Sequence, residues 1–173
     1  MRFFFLLIFC LLFAATSSAA QLCQLGLIPA STPTSQFVDN NDGTVTDLKT
    51  GLMWRKCIAG VYGNLCDKGS PARFTWQQAL QRPGAVNDAG GFAGHTDWRL
   101  PNIKELVSLI EEQCVHPAIN LNRFPFPDTG TVWSGSPYIF NLATAWAVNF
   151  SNGGSNTTNR QGSFAVWLVR GGQ

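Results

Sequence analysis

Three groups of residues in this 173-residue chain have types and spacings that could do chemistry. The first is "DNNDGTVTD", residues 39–47, where Asp39, Asn41 and Asp42 crowd Gly43 as oxygen ligands crowd a calcium ion. Aligned on an EF-type loop from Asp39, however, Gly43 falls where a ligand should stand. The same residues suit a tight turn, because glycine accepts positive φ and Asp or Asn bonds its own backbone. A structural hairpin is expected here, and no metal ligand is assigned. The second group is Cys23, Cys57, Cys66 and Cys114. They contain no CxxC, and His95 and His116 lack ligand spacing, so zinc is disfavoured against disulfides. Four cysteines allow three connectivities. Cys57 with Cys66 would close a short loop, and Cys23 with Cys114 would tie the N-terminal arm to the body; this pairing is preferred. The third group is the polar run "SNGGSNTTNRQGS", residues 151–163, between two apolar stretches. Its Asn, Gln, hydroxyls and single Arg160 could hydrogen-bond a hydroxyl-rich ligand from a loop.

Catalysis finds little support. His95 and Asp97 in "GHTDW" have no recognisable nucleophile context, and Glu105, Glu111 and Glu112 read as the solvated face of a helix. Arg99 beside Asp97 and upstream of Glu105 reads as a structural ion pair or a set of carbonyl contacts that fixes a turn. The chain is expected not to be an enzyme and to need no cofactor.

These groups must be positioned by what remains after a leader is set aside. Arg2, the apolar run "FFFLLIFCLLF" and the small residues of "ATSSAA" read as a signal peptide over 1–20, so export to the periplasm, cell surface or medium is expected. No later stretch is long and apolar enough for a spanning helix. Removing Arg2 with the leader leaves 11 basic residues against 10 acidic, a balance that gives no case for nucleic acid. Residues 21–35 are Pro/Ser/Thr-rich and read as an extended arm, and 36–173 as one domain. Within it, "QFVD" and "TVTD" flank the hairpin turn. "TWQQALQ" opens with a capping box and should stop at Pro83-Gly84, and "NIKELVSLIEEQC" is an amphipathic helix capped by Asn102 and Glu105. "VWSGSPY", "AWAVNF" and "FAVWLVRG" read as strands, which gives an α+β class.

Taken in order, "DNNDGTVTDLKTGLMW", "TWQQAL", "HTDWRLPNIKELVSLI", "PAINLNRFPFP", "VWSGSPY", "AWAVNF" and "WLVRGG" resemble the Lcl C-terminal domain family, named after a collagen-like surface protein. The resemblance spans about Phe37 to Gly172. It implies kinship with C-type-lectin-like and formylglycine-generating-enzyme-like folds: a compact domain with two helices, N-terminal hairpins and a C-terminal antiparallel sheet. It further implies extracellular binding, since the name-giving protein is an adhesin for sulfated polysaccharides. This chain departs from that pattern. It has no collagen-like stalk, no calcium-lectin tripeptide and no basic cluster. The expected partner is a polysaccharide or a surface protein, held by loops of the C-terminal sheet. Asn149, Asn152, Asn156, Asn159, Arg160, Trp133 and Tyr138 are the candidate contacts. An enzyme of the formylglycine-generating type is the remote alternative, and the oligomeric state is not legible.

Overall fold

The structure is a computed structural model describing residues 20–125 and 130–171, so the leader expected at 1–20 lies outside the described residues apart from Ala20. In chain order come β1 (Leu22–Cys23), a 3-10 turn (Thr34–Gln36), β2 (Phe37–Asp39), β3 (Thr44–Asp47), β4 (Met53–Arg55), β5 (Val61–Tyr62) and β6 (Lys68–Gly69). Then follow α1 (Trp76–Asp88), α2 (Ile103–Val107), β7 (Cys114–Val115), β8 (Thr131–Pro137), β9 (Thr144–Asn149), β10 (Gly154–Asn159) and β11 (Val169–Arg170). The fold is α+β, with sheets in the order β11-β4-β3-β2 and β10-β9-β8 and two small pairs, β1-β7 and β5-β6. The last strand returns to the first hairpin: Val169 pairs with Trp54 and Arg170 with Met53.

The 39–47 stretch is the expected hairpin, and its carboxylates are occupied within it. Asp39 Oδ1 accepts from Asn41 N at 3.0 Å, and Asp42 Oδ1 accepts from Thr44 N at 2.9 Å and Thr44 Oγ1 at 2.6 Å. Lys56 Nζ closes the hairpin on Asp39 Oδ2 at 2.6 Å. Gly43 is required twice over. Its φ is +87°, and a Cβ there would stand 2.8 Å from Cζ of Phe92.

Two aromatic-rich clusters lie on either side of β8 and β9. One gathers Trp54, Trp167, Phe37, Phe124 and Phe150 with Leu106, Val132 and Val148. Phe124 is its hub, edge-on to Phe37 at 5.3 Å and to Trp167 at 5.4 Å between centroids. The other gathers Trp98, Trp133, Ala145 and Ala147, with Phe74, Trp76 and Phe92 packed against it. Thus β9 buries Ala145 and Ala147 on one face and Val148 on the other, so both of its faces meet a core cluster.

Both capping boxes form, Thr75 with Gln78 and Asn102 with Glu105. The helices themselves differ from expectation. α1 runs through Pro83 to Asp88 rather than stopping there. An interior proline costs a helix about 3 kcal/mol, but Pro83 and Ala79 are buried and Val86 packs on the second cluster, so tertiary contacts carry the helix past it. Asn87 at its end then clasps Trp98, donating to its carbonyl at 2.8 Å and accepting from its N–H at 3.1 Å. α2 is one short turn-and-a-half, because beyond Ser108 the backbone leaves the helix and Ile110 bridges to Ile119.

Glu111 is therefore not on a solvated helix face. It is 4% exposed and accepts from Ser31 N at 2.9 Å, Thr32 N at 3.0 Å, Thr32 Oγ1 at 3.0 Å and Gln113 N at 3.1 Å. Burial pushes its carboxyl up, but these donors, Ser31 foremost, outweigh burial and hold it below the ordinary carboxylate value. Together with the Cys23–Cys114 disulfide and the β1-β7 pair, Glu111 fastens the arm to the body. The Cys57–Cys66 disulfide closes the loop that follows β4. Both expected pairings are thus present.

Candidate functional site

The C-terminal sheet was expected to present residues 151–163 as a long polar loop; the middle of that run, Gly154–Asn159, is instead an edge strand. β10 pairs with β9 from Gly154↔Asn149 to Asn159↔Thr144. Asparagines make the reversal: Asn149 Oδ1 accepts from Ser151 N at 2.8 Å, Asn152 Oδ1 from Gly154 N at 2.9 Å, and Gly153 takes a φ of +75°. The strand looks like a loop in sequence because it lies at the margin of the sheet, where little of it is buried and polar residues cost nothing. Thr157 and Thr158 still supply β-branched stiffness.

This geometry separates the candidate residues. Asn149 and Asn156 come together with Thr131, Ala147, Thr157 and Thr158 around a recess of about 180 Å³. Thr131 and Asn149 are register partners, as are Ala147 and Asn156, so the two asparagines stand on one face with the small Ala147 as floor. Asn149 uses its carbonyl in the turn, whereas the Asn156 side chain makes no hydrogen bond among the described residues and is exposed. Asn152 lies in a different hollow, beside Glu112 and Ser155. Asn159 turns inward on its own loop, accepting from Gln161 N at 2.9 Å.

Two candidates are structural. Trp133 is wholly buried, packs edge-on to Phe164 at 5.0 Å and donates from Nε1 to the Phe74 carbonyl at 2.8 Å, so its ring has no open face for a ligand. Arg160 lies over the Trp76 ring at 4.2 Å and donates from Nε to the Thr144 carbonyl at 3.0 Å, latching the start of α1 to the sheet. Tyr138 remains at the surface, edge-on to Trp146 at 5.5 Å and to the exposed Phe140 at 5.6 Å. Arg99 is the structural clamp its neighbours suggested. It grips Glu105 through two bonds of 2.6 and 2.7 Å and reaches the Gly171 carbonyl at 2.9 Å. Asp97 pairs instead with Arg170.

Sequence reasoning missed a second hollow, a cleft of about 370 Å³ between the 39–47 turn and the Cys57–Cys66 loop. Asp42, Arg55, Tyr62 and Phe92 line it, among others. The Arg55 guanidinium carbon stands 4.2 Å above the Phe92 ring centre, and its buried Nε has no hydrogen-bond partner. Burial, and after it the nearby Arg82 cation, press Arg55 below its ordinary value. Its sequence neighbour Lys56 is neutralised by Asp39, yet among the described residues no such partner meets Arg55. Nothing local signals this arrangement, since Phe92 arrives from a turn remote in sequence and is seated by Gly43.

The model of one family, the Lcl C-terminal domain, matches residues 43–170. The match begins in the hairpin turn and closes on β11, so it takes in the β10 recess and the Arg55 cleft except for Asn41 and Asp42, while the arm and Cys23 precede it. No curated protein matches the chain.

Proposed function

This chain belongs to the Lcl C-terminal domain family, and from that premise we propose that it is an exported, non-catalytic binding module that takes a hydroxyl-rich glycan or surface polymer along β10. The observation that carries this reading is the recess in which Asn149, Asn156, Thr131 and Thr158 bring amides and hydroxyls to one face over a small floor. Such groups exchange hydrogen bonds with water for hydrogen bonds with sugar hydroxyls and need no charge. The four cysteines beyond the leader are all joined in disulfides, which suits an oxidising compartment and removes the reactive thiol that a formylglycine-generating chemistry would use. No helix among the described residues is long and apolar enough to cross a membrane.

The test is binding of the purified protein to neutral glucans, galactans and N-acetylated oligosaccharides, with Asn156→Ala/Thr158→Val as the control. Binding that survives salt and chelator and is lost in the double variant is expected. Equal binding by the variant would overturn the β10 assignment.

One observation favours a second reading, a protein-interaction module of a surface assembly. The β8–β9 connection carries Ile139 at 79%, Phe140 at 85% and Leu142 at 75% exposure, an apolar tip that a protein partner would cover. A partner that stays bound under glycan competition and is released by Phe140→Ser would support it over the glycan reading.

A further inference from the structure

The Arg55 cleft is independent of the β10 recess and of the glycan reading. We propose that it is a binding site for an organic carboxylate, whose two oxygens the Arg55 guanidinium receives edge-on. Arg55 makes no side-chain hydrogen bond or ion pair among the described residues, and its Nε is out of reach of water. The other described arginines that stack on rings differ in this respect or in place: Arg160 has a carbonyl for its Nε, and Arg82, also unpartnered at Nε, is 5.9 Å from the Phe74 ring and does not line the cleft. Arg55 is half-buried and only its Nε is shut off from water, so its two Nη groups are left facing solvent without a protein partner, and a bound anion would supply one.

The geometry also selects the anion. Stacking on Phe92 holds the guanidinium face and leaves its Nη edge to present paired N–H groups to the two oxygens of a carboxylate; the choice of an organic anion over a bare oxyanion is left to the walls of the cleft. The cleft is far larger than a bare ion, and Val61, Tyr62 and Phe92 give its walls an apolar and aromatic character that suits an organic body. Asp42 is the acidic group on its lining. Its Oδ1 is engaged by Thr44, and it confines an anion to the Arg55 end. Arg82, near enough to press Arg55 down though not on the lining, adds positive potential that favours an anion there.

The experiment is thermal unfolding of the purified protein with benzoate, with its uncharged isostere benzamide, and with sulfate at matched ionic strength. Millimolar benzoate should raise Tm while benzamide and sulfate should not. Arg55→Met should unfold at a higher temperature than wild type without ligand and show no benzoate response. Arg55→Lys, which keeps the charge but not the fork, should need about tenfold more benzoate for the same shift. Asn156→Ala/Thr158→Val should respond as wild type does. An undiminished benzoate response in Arg55→Met, no response of wild type to benzoate, or an equal response to sulfate would each overturn the proposal.

Discussion

The β10 recess and the Arg55 cleft lie in the same domain but impose opposite demands on it. The recess is built at the margin of a sheet, where Asn156 can stay hydrated and the fold loses nothing when no ligand is present. In the cleft, a guanidinium is held over Phe92 with a buried nitrogen unsatisfied, an arrangement that weakens the empty protein. Hydrated asparagines are compatible with binding but do not require it, whereas a guanidinium with a buried, unpartnered Nε calls for a reason. The two regions should therefore separate under perturbation, since their supports differ.

The largest separation is expected from Cys57→Ser/Cys66→Ser. Losing this short loop closure should cost about 3 kcal/mol in denaturant unfolding. Cys57 is part of the cleft wall, so the benzoate response should vanish while glycan binding at β10 persists. Gly43→Ala comes next. It places a Cβ against Phe92 at a φ of +87°, and about 2 kcal/mol of destabilisation is expected, again with loss of the cleft response alone.

Acid should divide the molecule in the same direction. Asp39, Glu105 and Glu111 all have folded values below their ordinary ones despite burial, held there by Lys56, by Arg99 and by the Ser31–Thr32 segment. Each contributes stability that is present above the unfolded carboxylate value of about 4 and is lost as pH falls through the lower folded value. Among the described residues no titratable side chain lines the recess, so glycan binding should stay flat with pH until the protein unfolds. Glu111→Gln should lower stability at neutral pH by about 1–2 kcal/mol and flatten the acid limb of a pH–stability curve. Arg55→Met is smaller and opposite in sign, a gain of about 1 kcal/mol without ligand. Asn156→Ala/Thr158→Val should change stability by less than about 0.5 kcal/mol.

The sequence disclosed what local spacing encodes. The Asp39–Gly43 turn, the two capping boxes, both disulfide pairings and the Arg99–Glu105 clamp all involve either neighbours a few residues apart or a small set of combinations. It misled where tertiary context overrules composition. Polar β10 read as a loop because an edge strand need not look apolar, and Pro83 read as a stop because its packing partners lie elsewhere in the chain. Glu111 read as solvated because its donors, Ser31 and Thr32, come from the arm. The candidate site was half legible. Asn149 and Asn156 do share a recess, Trp133 and Arg160 proved to be structural, and the Arg55–Phe92 stack had no local signature at all.

The most direct test of the binding function is to map a neutral oligosaccharide onto the backbone amides of the labelled protein by chemical-shift titration. Shifts are expected at Thr131, Asn149 and the 156–158 segment, insensitive to salt and chelator and absent from Asn156→Ala/Thr158→Val. Shifts that leave this segment untouched, or that persist in the double variant, would contradict it.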